Sequence, residues 1–212
     1  MYEPLGADVR LSSTRVQAWM SIVAIWSVVA AAVAFALKAG ASADAWRRAV
    51  SGTGTVTAAQ QLQSGLSTIN RISWLCTVVS AVALVLWTHG ILRNAISRAV
   101  RGVSRAEAFY WFLPLLGIRL AITPLRHVVK SVGCSEHRLG RWLWVAYIHL
   151  FVVFFTSLAM MRSAVTATTV ASKLDALDTQ AQILWIVVVW MVFSATIATL
   201  AIRHTNRAVS SI

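Results

Sequence analysis

Four long, predominantly apolar stretches of the chain contain no Asp, Glu, Lys or Arg, and each is bounded by a charged residue at both ends. An α-helix that rises 1.5 Å per residue needs about 20 apolar residues to cross roughly 30 Å of hydrocarbon. All four stretches reach that length, so we predict four transmembrane helices. Their bounds are 16–37, 72–92, 142–161 and 179–202.

A fifth apolar segment, 108–125, differs from these four because Arg119 interrupts it and because it contains Pro114 and Pro124. Prolines remove backbone hydrogen-bond donors, and an arginine at mid-bilayer costs about 2.5–3.5 kcal/mol on insertion scales. We therefore predict an interfacial or re-entrant segment between the second and third spans. A fifth full span is the alternative.

Arg119 is the most unusual residue of this segment. A cation among apolar residues must reach headgroup phosphate, bond free carbonyl groups or pair with an acid, here Glu107 or Glu136. We expect Arg119 to anchor the segment at the membrane interface and to shape a pocket there.

The loop after the first span contains a helical pattern of its own. Ala58, Leu62, Leu66 and Ile69 recur at helical spacing, with glutamines and a serine between them. This pattern is typical of a short amphipathic helix over about 56–69. We expect it to pack on its neighbours, and a ligand-binding lid is the alternative.

Composition supports a membrane protein. Hydrophobic residues make up 58% of the 212 residues and charged residues 12%, and the mean hydropathy is +0.70, whereas a soluble domain carries about 25% charged residues. So few charges exclude a soluble enzyme, a disulfide-stapled secreted domain and a disordered tail. The predicted fold class is an all-α membrane protein, with residues 1–212 forming a single transmembrane helical domain.

The distribution of cations predicts the orientation. The two terminal tails and the loop 93–141 contain 13 of the 19 Lys and Arg residues, and the other two loops contain 6. Cytoplasmic flanks carry the excess of Lys and Arg, so both termini are predicted to face the cytoplasm. A basic stripe at helical spacing is formed by Arg98, Arg101 and Arg105. Such a stripe can lie along the anionic inner leaflet of the membrane. Nucleic-acid binding is not expected, because these cations are membrane-proximal.

Candidate chemistry is sparse. Cys76 and Cys134 lie on opposite sides of the predicted bilayer, so no disulfide is expected. His149 lies within the third span, where an ionisable residue is a candidate functional group. If His149 and His89 ligated one haem, both would have to lie at the same depth in the bilayer. Their positions in the sequence place them at different depths. We expect a neutral His149 bonded to a neighbouring Ser, Thr or backbone carbonyl, no metal or cofactor, and no catalytic constellation.

Several aromatic, proline and polar positions together resemble a known family. Trp87, Arg93 and Asn94 precede a Trp-Phe-Leu-Pro-Leu core at 111–115, and further elements follow the core along the chain. Those elements are Pro124, Val128, Ser131, Trp142 and Arg203-His204-Thr205. In this pattern the chain resembles the bacterial membrane proteins of domain-of-unknown-function family 4328. The chain departs from the family pattern after the core, at 117–119. The resemblance implies a protein of the bacterial cell (inner) membrane and supplies no catalytic residues.

The expected function is that of a non-catalytic scaffold or accessory subunit of a membrane complex. The alternative is a small-molecule or lipid-binding membrane protein, or a transporter, that uses a pocket at 108–125. Expected partners are anionic lipids of the inner leaflet and either further copies of the chain or a larger complex. The candidate structural or pocket residues are Asn94, Trp111, Pro114, Arg119, Pro124 and His149.

The cation distribution makes the orientation testable. Reporter fusions at Gly54, at Gly133 and at the carboxy terminus should report outside, inside and inside, respectively, because positively charged loops stay in the cytoplasm. Alkaline phosphatase and green fluorescent protein activities would be measured for each fusion. An outside report at Gly133 would overturn the predicted orientation.

Overall fold

The structure is a computed structural model that describes residues 14–98, 100, 102–112, 116–166 and 169–210. It is built from helices, which we number along the chain: α1 Thr14–Val50, α2 Val56–Ser97, the 3₁₀ helix η1 Arg105–Phe112, α3 Leu116–Ser131, α4 His137–Thr166 and α5 Val170–Ser210. Four of them, α1, α2, α4 and α5, are long and apolar enough to cross a membrane. The predicted all-α membrane fold with four spans is confirmed at this level.

Large apolar side chains lie exposed along the long helices. On α4, Trp144, Phe151 and Phe155 are 72%, 62% and 60% exposed. Soluble monomers rarely expose contiguous apolar patches of more than a few hundred Å². These surfaces are therefore suited to contact with lipid chains rather than with water.

The chain divides into two compact units. The first consists of the described parts of Met1–Val23, Ala81–Leu143 and Ile197–Ile212, and the second of Ala24–Ser80 and Trp144–Thr196. Each long helix contributes one segment to each unit. Helices η1 and α3 belong wholly to the first unit, where they pack against each other.

The first unit has a tightly packed interior to which α1, α2, α3, α4 and α5 all contribute. Its largest fully buried side chains are mostly aliphatic, with one tryptophan and three hydroxyl groups among them. They are Ser21, Trp87, Thr88, Ile91, Leu92, Ile122, Leu125, Val128, Val129, Leu139, Ile202 and Thr205. Burial of so many branched side chains stabilises the unit through the hydrophobic effect and close packing.

Contacts between α1 and α5 bring both described ends of the chain together in the first unit. The hydroxyl group of Thr14 donates a hydrogen bond to Oδ1 of Asn206 at 2.7 Å. The guanidinium carbon of Arg203 lies 5.1 Å from the ring centre of Trp19, a cation–π geometry. The beginning of α1 and the end of α5 therefore lie on the same side of this unit, as an even number of spans requires.

In the second unit, polar side chains connect the other ends of the same helices. Arg47 near the end of α1 forms an ion pair with Asp178 on α5. The indole nitrogen of Trp46 donates to Oε1 of Gln63 on α2 at 3.1 Å. These contacts hold α1, α2 and α5 together beyond the predicted spans.

Several helices extend past the ends of the charge-free stretches. The predicted amphipathic segment 56–69 is helical, but it forms the beginning of α2 and is not a separate helix. Likewise, α1 continues beyond Lys38 as far as Val50. The physical reason is that a single charged residue such as Lys38 or Arg71 marks the edge of the apolar run without interrupting backbone hydrogen bonds.

The segment 108–125 is divided between two elements. Its first residues belong to η1, and its last residues belong to α3, which continues to Ser131. Pro124 lies inside α3 and is buried, although an interior proline removes one helical hydrogen bond. Pro114 lies outside the described residues.

A glycine in the left-handed conformation ends α3. Gly133 has a φ angle of 73°. The backbone N–H of Gly133 donates to the carbonyl oxygen of Lys130, and the backbone N–H of Cys134 donates to the carbonyl oxygen of Val129. These two hydrogen bonds form a Schellman motif. The chain can therefore turn sharply from α3 towards α4.

This turn gives a stability prediction with a matched control. Gly133→Ala should lower the free energy of unfolding by about 1–2 kcal/mol, because a Cβ atom disfavours the left-handed region. Gly140→Ala is the control, because Gly140 lies within α4 and an added Cβ atom would meet nothing within 4 Å there. Apparent unfolding temperatures in detergent micelles would be compared. Equal loss of stability in both variants would contradict the prediction.

Candidate functional sites

Three tryptophans from different elements meet in the first unit, and we refer to Trp87, Trp111 and Trp142 as the tryptophan cluster. The ring centre of Trp142 lies 5.3 Å from that of Trp111 and 6.5 Å from that of Trp87. The indole nitrogen of Trp111 donates a hydrogen bond to the hydroxyl oxygen of Thr88 at 2.8 Å. The cluster therefore joins η1 to α2 and α4 by ring packing and one partly buried hydrogen bond.

The beginning of η1 is fixed by a reciprocal cap. The backbone nitrogen of Ser104 donates to Oε2 of Glu107 at 3.0 Å, and the nitrogen of Glu107 donates to the carbonyl oxygen of Ser104 at 3.2 Å. Such a cap satisfies backbone groups that have no partner within the helix. It sets the start of the short helix that presents Trp111 to Thr88.

Helix α3 has one buried apolar face and one exposed polar face. The buried side chains are Ala121, Ile122, Pro124, Leu125, Val128 and Val129. The exposed face carries Arg119, Thr123, His127 and Lys130, which recur at spacings of three and four residues. The sequence thus folds α3 as an amphipathic helix whose apolar face is already occupied by the protein.

The structure does not place Arg119 in an ion pair with either expected acid. Glu107 caps η1, and Glu136 pairs with Arg126, with 2.9 Å between Oε2 and Nε. The hydrogen bond from Arg126 lowers the pKa of the Glu136 carboxyl. Arg119 itself is exposed and has no ion pair among the described residues. Sequence reasoning missed Arg126, whose only distinguishing signal was its place next to the buried face of α3.

The predicted site residues are divided between the two units. Asn94, Trp111, Arg119 and Pro124 belong to the first unit, and His149 belongs to the second. Asn94, near the end of α2, is only 5% exposed. No single site containing all the candidates is therefore described by the structure.

His149 lines a cavity of about 430 Å³ in the second unit. Its Nδ1 atom is enclosed and has no hydrogen-bond partner among the described residues. The expected bond from a neighbouring Ser, Thr or backbone group is thus not made at this atom. Asn70, Ser73 and Thr77 of α2 line the same cavity. None of these three was a candidate in the sequence analysis, although their spacing of three and four residues places them on one helix face.

A second cavity in this unit lies between the end of α1 and the beginning of α5. Its volume is about 570 Å³, and its walls include Trp46, Leu177 and Lys173. The Trp46 indole is already bonded to Gln63. Most of the wall is apolar, with Lys173 as the single cation among its lining residues.

Metal and redox chemistry find little support in the side chains. Among the described residues, no group of three or more His, Cys, Asp or Glu side chains lies close enough to hold a metal ion. Cys76 and Cys134 are both free thiols. The described polar groups mainly cap helices, pair with one another or line the two cavities.

Comparisons with known protein families, with curated proteins and with solved structures found no match to the chain. The residues that carry the family resemblance include all three members of the tryptophan cluster. Their ring packing in the first unit gives these residues a structural role that is independent of any relative.

The hydrogen bond of the tryptophan cluster can be measured by a double-mutant cycle. Thr88→Val and Trp111→Phe should each lower stability, and the pair should lose less than the sum, because both remove the same bond. We expect a coupling free energy of about 1 kcal/mol.

Thr123→Val is the control for this cycle. Its hydroxyl is exposed and donates to the carbonyl oxygen of Arg119 in its own helix, so it should show no coupling with Trp111→Phe. Chemical unfolding in detergent, followed by circular dichroism, would give the free energies. Additive effects of Thr88→Val and Trp111→Phe would show that the bond contributes nothing measurable.

Proposed function

We propose that this chain is a non-catalytic scaffold or accessory subunit of a bacterial inner-membrane complex. Its first unit, with both termini, lies on the cytoplasmic side. Helices η1 and α3 form an interfacial platform there, not a fifth span. The observation that carries the proposal is the exposed polar face of α3, whose opposite face is buried and which packs against η1.

The dimensions and polarity of α3 support an interfacial position. Its 16 residues span about 24 Å, which is shorter than the roughly 30 Å of hydrocarbon. Arg119 and Lys130 lie near opposite ends of its exposed face. A crossing orientation would bury this polar face in lipid, whereas an interfacial orientation leaves it among headgroups or against a partner.

Charge supports the orientation. The residue ranges of the first unit contain 13 Lys and Arg residues, and those of the second contain 6. The anionic cytoplasmic leaflet attracts such residues by about 1 kcal/mol for each cation close to the surface. Anionic lipid is therefore the expected neighbour of the first unit, and the α3 face is available to a protein partner.

The alternative function is ligand binding. The cavities that support it do not lie at the segment 108–125, where the sequence predicted a pocket. Both cavities described above belong to the second unit, whereas 108–125 belongs to the first. We also propose that the chain belongs to domain-of-unknown-function family 4328. This proposal rests on the core at 111–115 and on the residues that pack with Trp111.

The scaffold role predicts a stable complex that depends on α3. Full-length protein purified in mild detergent should retain a second polypeptide in a fixed molar ratio, measured by native mass spectrometry. Arg119→Glu combined with Lys130→Glu should release most of that polypeptide, because charge reversal opposes the proposed contact.

Arg48→Glu is the matched control, since Arg48 is exposed on α1 in the second unit. It should leave the ratio unchanged. A wild-type protein that purifies as a monomer with lipid alone would contradict the scaffold role. Equal release by the control would contradict the role of α3.

A further inference from the structure

The cavity beside His149 is not used by the proposed scaffold role. Its volume of about 430 Å³ falls within the range of roughly 300–1,000 Å³ typical of small-molecule sites. All four long helices contribute to its walls, and most of the lining side chains are apolar. Those on α1 and α5 include Val28, Phe35, Leu184, Val187 and Met191.

One side of the cavity is polar but uncharged. Asn70, Ser73 and Thr77 are spaced by three and four residues on α2, so they share one helix face. The Thr77 hydroxyl donates to the carbonyl oxygen of Ser73 at 2.9 Å, which leaves its own oxygen free to accept. Apart from His149, no acidic or basic residue is among the lining residues that the structure describes.

His149 completes this polar side from α4. Its Nδ1 atom is enclosed without a partner among the described residues, whereas buried polar atoms in native proteins almost always have one. Neutral imidazole either accepts or donates at this nitrogen, depending on the tautomer. A hydroxyl group can do both, so it suits His149 in either form once the imidazole ring turns its enclosed Nδ1 atom towards the cavity.

We propose that this cavity binds a neutral amphiphile dissolved in the membrane, with a hydroxyl group beside His149 and Asn70 and an apolar chain against α1 and α5. The absence of a lining cation in the described wall disfavours a carboxylate or phosphate head group, because a buried charge needs a partner. The inference does not depend on the scaffold role or on the orientation in the membrane.

Photolabelling tests the ligand class directly. Full-length protein in phosphatidylcholine vesicles would be labelled with a hexadecanol that carries a diazirine on its chain, and labelled peptides located by mass spectrometry. We expect saturable labelling of α1 and α5 at the cavity. Unlabelled hexadecanol should compete about fivefold better than hexadecane, the change expected for one hydrogen bond.

Two variants on α1 test the location. Ala32 lines the cavity, and Ala34 is exposed on the same helix and does not line it. Ala32→Leu should reduce the saturable labelling severalfold, and Ala34→Leu should leave it unchanged. His149→Leu should remove the advantage of hexadecanol over hexadecane while leaving the labelling by a diazirine-bearing hexadecane intact.

Three results would overturn the proposal. Labelling spread equally over all lipid-facing helices would show ordinary lipid contact. Equal labelling of the Ala32→Leu and Ala34→Leu proteins would place the probe outside the cavity. Palmitate competing as well as hexadecanol at pH 8 would exclude a site for neutral head groups. The competition experiments use the wild-type protein, so they decide the ligand class even if a variant does not fold.

Discussion

Hydrocarbon supplies no hydrogen bonds to the peptide group, and this constraint governs the structure of the chain. Every N–H and C=O group within the spans must be bonded inside the protein, which a long helix achieves by itself. Several hydroxyl side chains in the spans follow the same rule. The hydroxyl groups of Ser27, Thr156 and Thr196 each donate to a carbonyl oxygen three or four residues earlier in their own helix. Most of the apolar surface can then face lipid without a polar penalty.

The first unit adds a feature that lipid exposure alone does not provide, a densely packed interior. Trp87, Ile122 and Ile202 are fully buried and come from three different helices. In this unit α3 is amphipathic and not apolar all round, and it packs against η1, which the bond between Trp111 and Thr88 holds to α2. A helix anchored in this way can present charged side chains in a fixed arrangement, which a mobile loop cannot.

The sequence predicted the number of spans because the length of an apolar run is a local property. It did not predict where the helices end, since charged residues such as Lys38 mark the edge of the hydrocarbon and not the end of a helix. Contacts between distant residues were also out of reach. Several cations lie near Glu136 in the sequence, and only the folded faces of α3 decide that it pairs with Arg126 and not with Arg119.

The cavity beside His149 could not be predicted from the sequence for the same reason. Its walls come from four helices, and it exists because their side chains leave part of the space between them unfilled. Unpartnered atoms alone do not identify it. Nε1 of Trp190 and Oγ of Ser194 are also buried without partners among the described residues, yet neither residue lines the cavity. His149 combines an unpartnered nitrogen with adjacent open volume and a polar helix face opposite. That combination favours a ligand position over a packing position, because open volume adjoins the imidazole ring that lacks a hydrogen bond.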